Sequence, residues 1–173
     1  MKTYKFKPFL RMFLVSIFIV CCLNKPVYGC GIDETSKDNY EVQRVCNVLL
    51  EPLQPGKLTS DILELKCGIG SNLPEFDVNT TYYIASFYDD INYVTLLVNF
   101  FGSSTCSSSV SYGVGQVPSS LNNRFSSGSV YSGCNNLYVY DLANYAGDSA
   151  SCFANCSSFG SLNDRVSSWR VTN

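Results

Sequence analysis

Two short patterns, each written twice and in the same order, constrain this chain more than anything else in it. The first is Y-D-x-x-N-Y, present as Tyr88-Asp89-Asp90-Ile91-Asn92-Tyr93 and again as Tyr140-Asp141-Leu142-Ala143-Asn144-Tyr145. The second is N-x-R-x-S-S, present as Asn122-Asn123-Arg124-Phe125-Ser126-Ser127 and as Asn163-Asp164-Arg165-Val166-Ser167-Ser168. An internal repeat reveals the building unit of a fold. In the first pattern two aromatic residues flank a tight bend, and asparagine tolerates the left-handed dihedrals that close such turns. In the second, the paired serines can reach back with their hydroxyls and pin the folded hairpin. The expected unit is a hairpin held by a polar loop, and it occurs twice.

The first 29 residues read as a secretory signal peptide. Lys2, Lys5, Lys7 and Arg11 precede an apolar run from Phe13 to Leu23, and a short region ending at Gly29 follows. The run is short for a bilayer span, so the mature chain is expected to be extracellular without stable membrane insertion. An N-terminal anchor, or a lipoprotein cut before Cys30, is the competing reading. Without that leader the chain keeps seven basic and fourteen acidic residues, a net charge of −7. An acidic surface with no basic cluster repels phosphate backbones, which argues against nucleic-acid binding. Seven of the nine cysteines remain, at 30, 46, 67, 106, 134, 152 and 156, and in a secreted chain they predict disulfides of unassigned pairing with one cysteine left over. Asn79-Thr80-Thr81 is a glycosylation sequon, and Asn155-Cys156-Ser157 a weaker one.

Residues 30–79 are the acidic part, with strands expected over Glu41 to Leu50 and Leu58 to Cys67 on either side of a Pro/Gly turn. They predict a cysteine-stapled β extension of open role. From residue 80 onward, short aromatic and β-branched runs (Thr81 to Tyr88, Val94 to Phe101, Leu137 to Tyr140) alternate with Gly, Ser and Asn, and no helical period emerges. The pattern predicts an all-β antiparallel sandwich. In the Ser/Gly-rich stretch from Ser103 to Gly128, the spacing of Val110, Tyr112, Val114 and Val117 predicts a long loop carrying some strand rather than a disordered linker.

The motif N/D-N/D-x-x-S/T-S, preceded by an aromatic Y-D-x-x-N-Y hairpin, resembles the βγ-crystallin Greek-key family over residues 80–173. The resemblance implies a double Greek-key β-sandwich, with keys at about 80–130 and 131–173 and residues 30–79 as an N-terminal cysteine-containing β extension. It also implies calcium sites, each combining one key's hairpin with the other key's loop. The carbonyl of Asp89 would join the Asn163 side chain, the Arg165 carbonyl and the Ser167 hydroxyl. Asp141 would join Asn122, Arg124 and Ser126 in the same way. Ser127 and Ser168 would hold the hairpins rather than the ion. Hard cations favour oxygen donors of this kind, and few of these carry charge, so dissociation constants on the order of 10⁻⁵ to 10⁻³ M are expected. Asp164 brings the only formal charge in either loop motif apart from the arginines, which points to the Asn163 loop as the tighter site.

Two features depart from the pattern. The first key spans 39 positions from Tyr88 to Ser127, against 28 from Tyr140 to Ser168, so it carries an insertion of 11. Thr95 also stands where the second hairpin has Gly147, and a register turning at Asn99-Phe100-Phe101-Gly102 is the alternative.

The leading functional expectation is a secreted, non-enzymatic calcium-binding protein with a structural or stress- and encystment-related role, its protein or glycan partner open. A secreted toxin or protease inhibitor on the same fold is the other class. An enzyme is disfavoured because no histidine exists to activate a serine or cysteine.

Overall fold

The computed structural model describes residues 43–69, 73, 75–77 and 80–173. The signal peptide, Cys30 and Asn79 lie outside the described residues. The described residues form ten strands: β1 (Arg44–Leu50), β2 (Ile62–Ile69), β3 (Tyr82–Tyr88), β4 (Leu96–Gly102), β5 (Tyr112–Val114), β6 (Ser127–Val130), β7 (Asn136–Leu142), β8 (Ala146–Phe153), β9 (Asn155–Cys156) and β10 (Ser168–Thr172). The helical content of the described residues is limited to short 3-10 turns.

The strands form two sheets, in the orders β2-β1-β4-β3-β6-β9 and β5-β10-β7-β8. The first key is β3 to β6 and the second is β7 to β10. Each key sends its third strand to the other's sheet: β5 pairs with β10, and β9 pairs with β6. This exchange makes the two keys one double Greek key.

Alternation along the strands supplies the core between the sheets. Trp169 of β10 is fully buried against Phe87 of β3 (ring centroids 5.1 Å apart) and Phe100 of β4 (4.5 Å). Phe125 stacks on Phe87 at 4.5 Å. Burying a side chain of this size stabilises by roughly 1.5–3 kcal/mol, and this cluster joins the two keys.

The insertion in the first key is ordered chain. Tyr112, Val114 and Val117 are buried in the core, and the Tyr112 hydroxyl donates to the Ser104 carbonyl at 2.7 Å. Gly102 is required here, because a Cβ at that position would stand 2.3 Å from the Tyr112 ring. A Cys106–Cys134 disulfide ties the insertion to the segment between the keys.

The N-terminal extension is a hairpin stapled by Cys46–Cys67, whose residues pair directly across β1 and β2. It extends the first sheet, with β1 running parallel to β4 (Val48 opposite Phe100). Cys46, Val48 and Leu50 enter the core; β2 lies beyond it. Cys152 and Cys156 form the third pair, so the six described cysteines are all bridged.

Candidate metal centre

The two hairpin bends adopt one conformation. In the first, Asn92 has φ 58°, ψ 30° and Tyr93 φ 64°; in the second, Asn144 has φ 58°, ψ 34° and Tyr145 φ 62°. Asparagine adopts this left-handed region more readily than most residues. The flanking tyrosines meet edge to face over each bend, Tyr88 with Tyr93 at 5.8 Å and Tyr140 with Tyr145 at 5.6 Å. Tyr88 pairs with Leu96 and Asn99 lies within β4, so the bend occupies the Tyr88 register. Thr95 takes a φ of 61° where Gly147 takes 79°.

Ser127 pins the first bend: its Oγ donates to the Asp90 carbonyl (2.6 Å) and accepts from the Tyr93 N–H (3.0 Å). Ser168 does the same for the second, through the Leu142 carbonyl (2.6 Å) and the Tyr145 N–H (2.9 Å). The final serine of each motif therefore holds a hairpin, as its repetition implied.

The two loops also clasp each other with approximate two-fold symmetry. The Asn123 N–H donates to the Val166 carbonyl (3.1 Å), and the Asp164 N–H to the Phe125 carbonyl (3.2 Å). The side chains follow the same exchange. Ser126 Oγ donates to Asp164 Oδ1 at 2.9 Å, and Ser167 Oγ to Asn123 Oδ1 at 3.3 Å. Repeated pinned bends, exchanged third strands and a reciprocal loop clasp describe one architecture. The fold is βγ-crystallin-like.

No protein-family profile matches the sequence, and no curated protein does. Among solved structures, the chain is similar to a betagamma-crystallin from an archaeon, at 20% identity and a TM-score of 0.36, over 51% of this chain and 96% of that one.

Within this βγ-crystallin-like frame the expected site residues fall on the two bends and the two loops. Asp89 receives the Arg124 guanidinium (2.8 and 3.1 Å), and Asp141 Oδ2 receives Arg165 (2.7 Å). Each hairpin aspartate is thus tied to its own key's loop, and the Ser126 and Ser167 N–H groups bond the Tyr88 and Tyr140 carbonyls (2.9 and 2.8 Å) in the same sense. With arginine on its carboxylate, each aspartate retains its backbone carbonyl as a donor for a cation.

Asn163 and Asn122 differ. Asn163 Oδ1 is engaged by the Phe159 N–H (3.0 Å) and the Ser158 hydroxyl (3.3 Å), closing its own turn. Asn122 has Pro118 four residues back, where there is no N–H to give, and its Oδ1 is buried without a partner. Asp141 Oδ1 is buried and unpartnered as well. A buried oxygen with no donor costs about 1–3 kcal/mol, and a bound cation is one way to satisfy it.

Asn123 and Asp164 stood in the repeat, Asp164 as the loop's charge, but neither was among the expected ligands. They occupy the second position of each loop, at φ 59° and 56°, and face the other loop's serine. Among the described residues, no three His, Cys, Asp or Glu side chains gather into a metal cluster, so a cation here would rest mainly on neutral oxygens.

Proposed function

We propose that this chain is a secreted, non-enzymatic calcium-binding protein, structural or stress-related in role, with two weak calcium sites at the clasp between its keys. The observation that carries this reading is the reciprocal pairing of a serine hydroxyl with a side-chain oxygen of the opposite loop, at 2.9 Å for Ser126–Asp164 and 3.3 Å for Ser167–Asn123. Each pair brings two hard donors together, and the unpartnered Asn122 and Asp141 oxygens add acceptors in the same loops and bends. The residues that would hold the ions are Ser126 with Asp164 and Ser167 with Asn123. Asn122, Asn163 and the backbone carbonyls of Arg124, Arg165, Asp89 and Asp141 would complete the sites. A bound calcium ion would cross-link the two keys.

Three disulfides support an oxidising compartment. No helix among the described residues is long and apolar enough to cross a membrane. Asn155, in the second sequon, is exposed at the edge strand β9, and the neighbouring Cys156 bridge competes with glycosylation there.

Calorimetric calcium titration beside a thermal melt tests the reading. Heat release and a raised melting temperature are expected. Millimolar calcium that produces neither removes the metal function and leaves the fold.

A further inference from the structure

Strand β2 ends the six-stranded sheet, and among the described residues no strand pairs with its outer edge. Its core-side residues are uncovered too. The pairings Leu65–Val48, Cys67–Cys46 and Ile69–Arg44 place Leu65 and Ile69 on the face that β1 turns to the core. Yet Leu65 is 50% exposed and Ile69 49%, with Leu63 beside them at 56%. Six strands face four, and the packed core stops at β1. Unpaired N–H and C=O groups beside aliphatic side chains form a template for another strand.

The charges on β2 identify that strand. Glu64 and Lys66 flank Leu65 and pair with each other at 2.9 Å on the opposite face. Lys66 also lies over the Phe76 ring, 4.9 Å from its centroid. When two β2 strands run antiparallel about a two-fold axis at Leu65, Glu64 of each copy stands opposite Lys66 of the other. Leu65 then meets Leu65, and Leu63 meets Cys67. Registers centred on Glu64 or Lys66 instead set like charges opposite, which is destabilising. The Cys46–Cys67 bridge fastens the strand to β1, so its edge is presented already formed.

We propose that the chain forms a homodimer by antiparallel pairing of β2 with the β2 of a second copy, joining their sheets into one. The pattern is self-complementary in charge and extends the apolar strip of each copy.

Sedimentation of the disulfide-intact protein over a wide concentration range, alone and with charge-reversed variants, tests this. Glu64→Lys and Lys66→Glu each replace two attractive cross-strand pairs by two repulsive ones. Each should raise the dimer dissociation constant by about tenfold or more. The double variant Glu64→Lys/Lys66→Glu restores complementarity and should restore the dimer. Both side chains are partly solvent-exposed, and thermal melts check that every variant is folded. A monomer at all concentrations overturns the proposal. So does a dimer indifferent to the single reversals or not recovered in the double variant. A monomer that dimerises only after residues 30–42 are removed assigns the edge to the chain's own N-terminal segment and overturns it too.

Discussion

The hydroxyl of Ser126, in the first key, donates to the carboxylate of Asp164, in the second, at 2.9 Å. The formal charge of the second loop is therefore delivered to the serine of the first. The equivalent contact, Ser167 with Asn123, joins a hydroxyl to a neutral amide. Asp164 thus stands against the serine of the opposite loop.

The calcium site around Ser126 is accordingly expected to be the tighter one, the reverse of what loop charge alone implied. Asp164→Asn should weaken it by about tenfold, since the number of charged ligands tunes calcium affinity. It should leave the Ser167 site unchanged. Two-site calorimetry of the parent and Ser126→Arg, Ser167→Arg and Asp164→Asn variants decides the order.

Ser127→Ala and Ser168→Ala should each destabilise the protein by about 2–4 kcal/mol, because each strands a carbonyl and an N–H that the hydroxyl now satisfies. Denaturant unfolding with and without calcium should give the same loss for each. A loss seen only with calcium present would make these serines ligands instead.

Thr95→Gly should stabilise by about 0.5–1 kcal/mol. A β-branched residue at φ 61° is strained, whereas glycine is at ease there. The substitution gives up an exposed bond from Thr95 Oγ1 to Asp90 (2.7 Å), which is worth less than the strain. The reverse change, Gly147→Thr, should be strongly destabilising, since a Cβ there would stand 2.1 Å from Asp141 Oδ1. Melting temperatures of the two variants should move in opposite directions.

Alkaline pH should destabilise the protein. Burial, with Tyr131 and Tyr83 beside it, pushes Tyr88 up to about 12. Burial also raises Tyr83, Tyr112 and Tyr145. A phenol with a higher pKa folded than unfolded contributes fully below the unfolded value, near 10, and loses that contribution as pH climbs toward the folded value. The melting temperature should hold to about pH 9 and fall between about 10 and 12. Tyr88→Phe should blunt the fall.

The bends were legible because their conformation is set locally: Asn92 and Asn144 favour the left-handed region, and a serine at a fixed offset closes each one. The register was legible for the same reason, even with Thr95 in a glycine's place. The insertion declared itself through Tyr112, Val114 and Val117, whose spacing matches their burial. Contacts between keys were not legible. Nothing near Asp164 in the chain indicates that its partner is Ser126, 38 residues away. Nor does the composition of Arg44–Leu50 reveal that it runs parallel to β4, since such pairing is settled by which edge lies open when the sheets close. Nor does the sequence mark Pro118 as the reason Asn122 lacks a donor.

The exchange of β5 and β9 sets how this chain can be divided. Cut between Tyr131 and Cys134, with the Cys106–Cys134 bridge reduced, it yields two fragments, each holding a strand that belongs to the other's sheet. Trp169 would leave with one fragment while Phe87 and Phe100 stayed with its neighbour. Such pieces are complements, each a template for the other, and neither is a domain. A chain that carried one key alone could meet the same demands only by embracing its twin, its loop serine reaching across a true two-fold axis to the identical loop opposite.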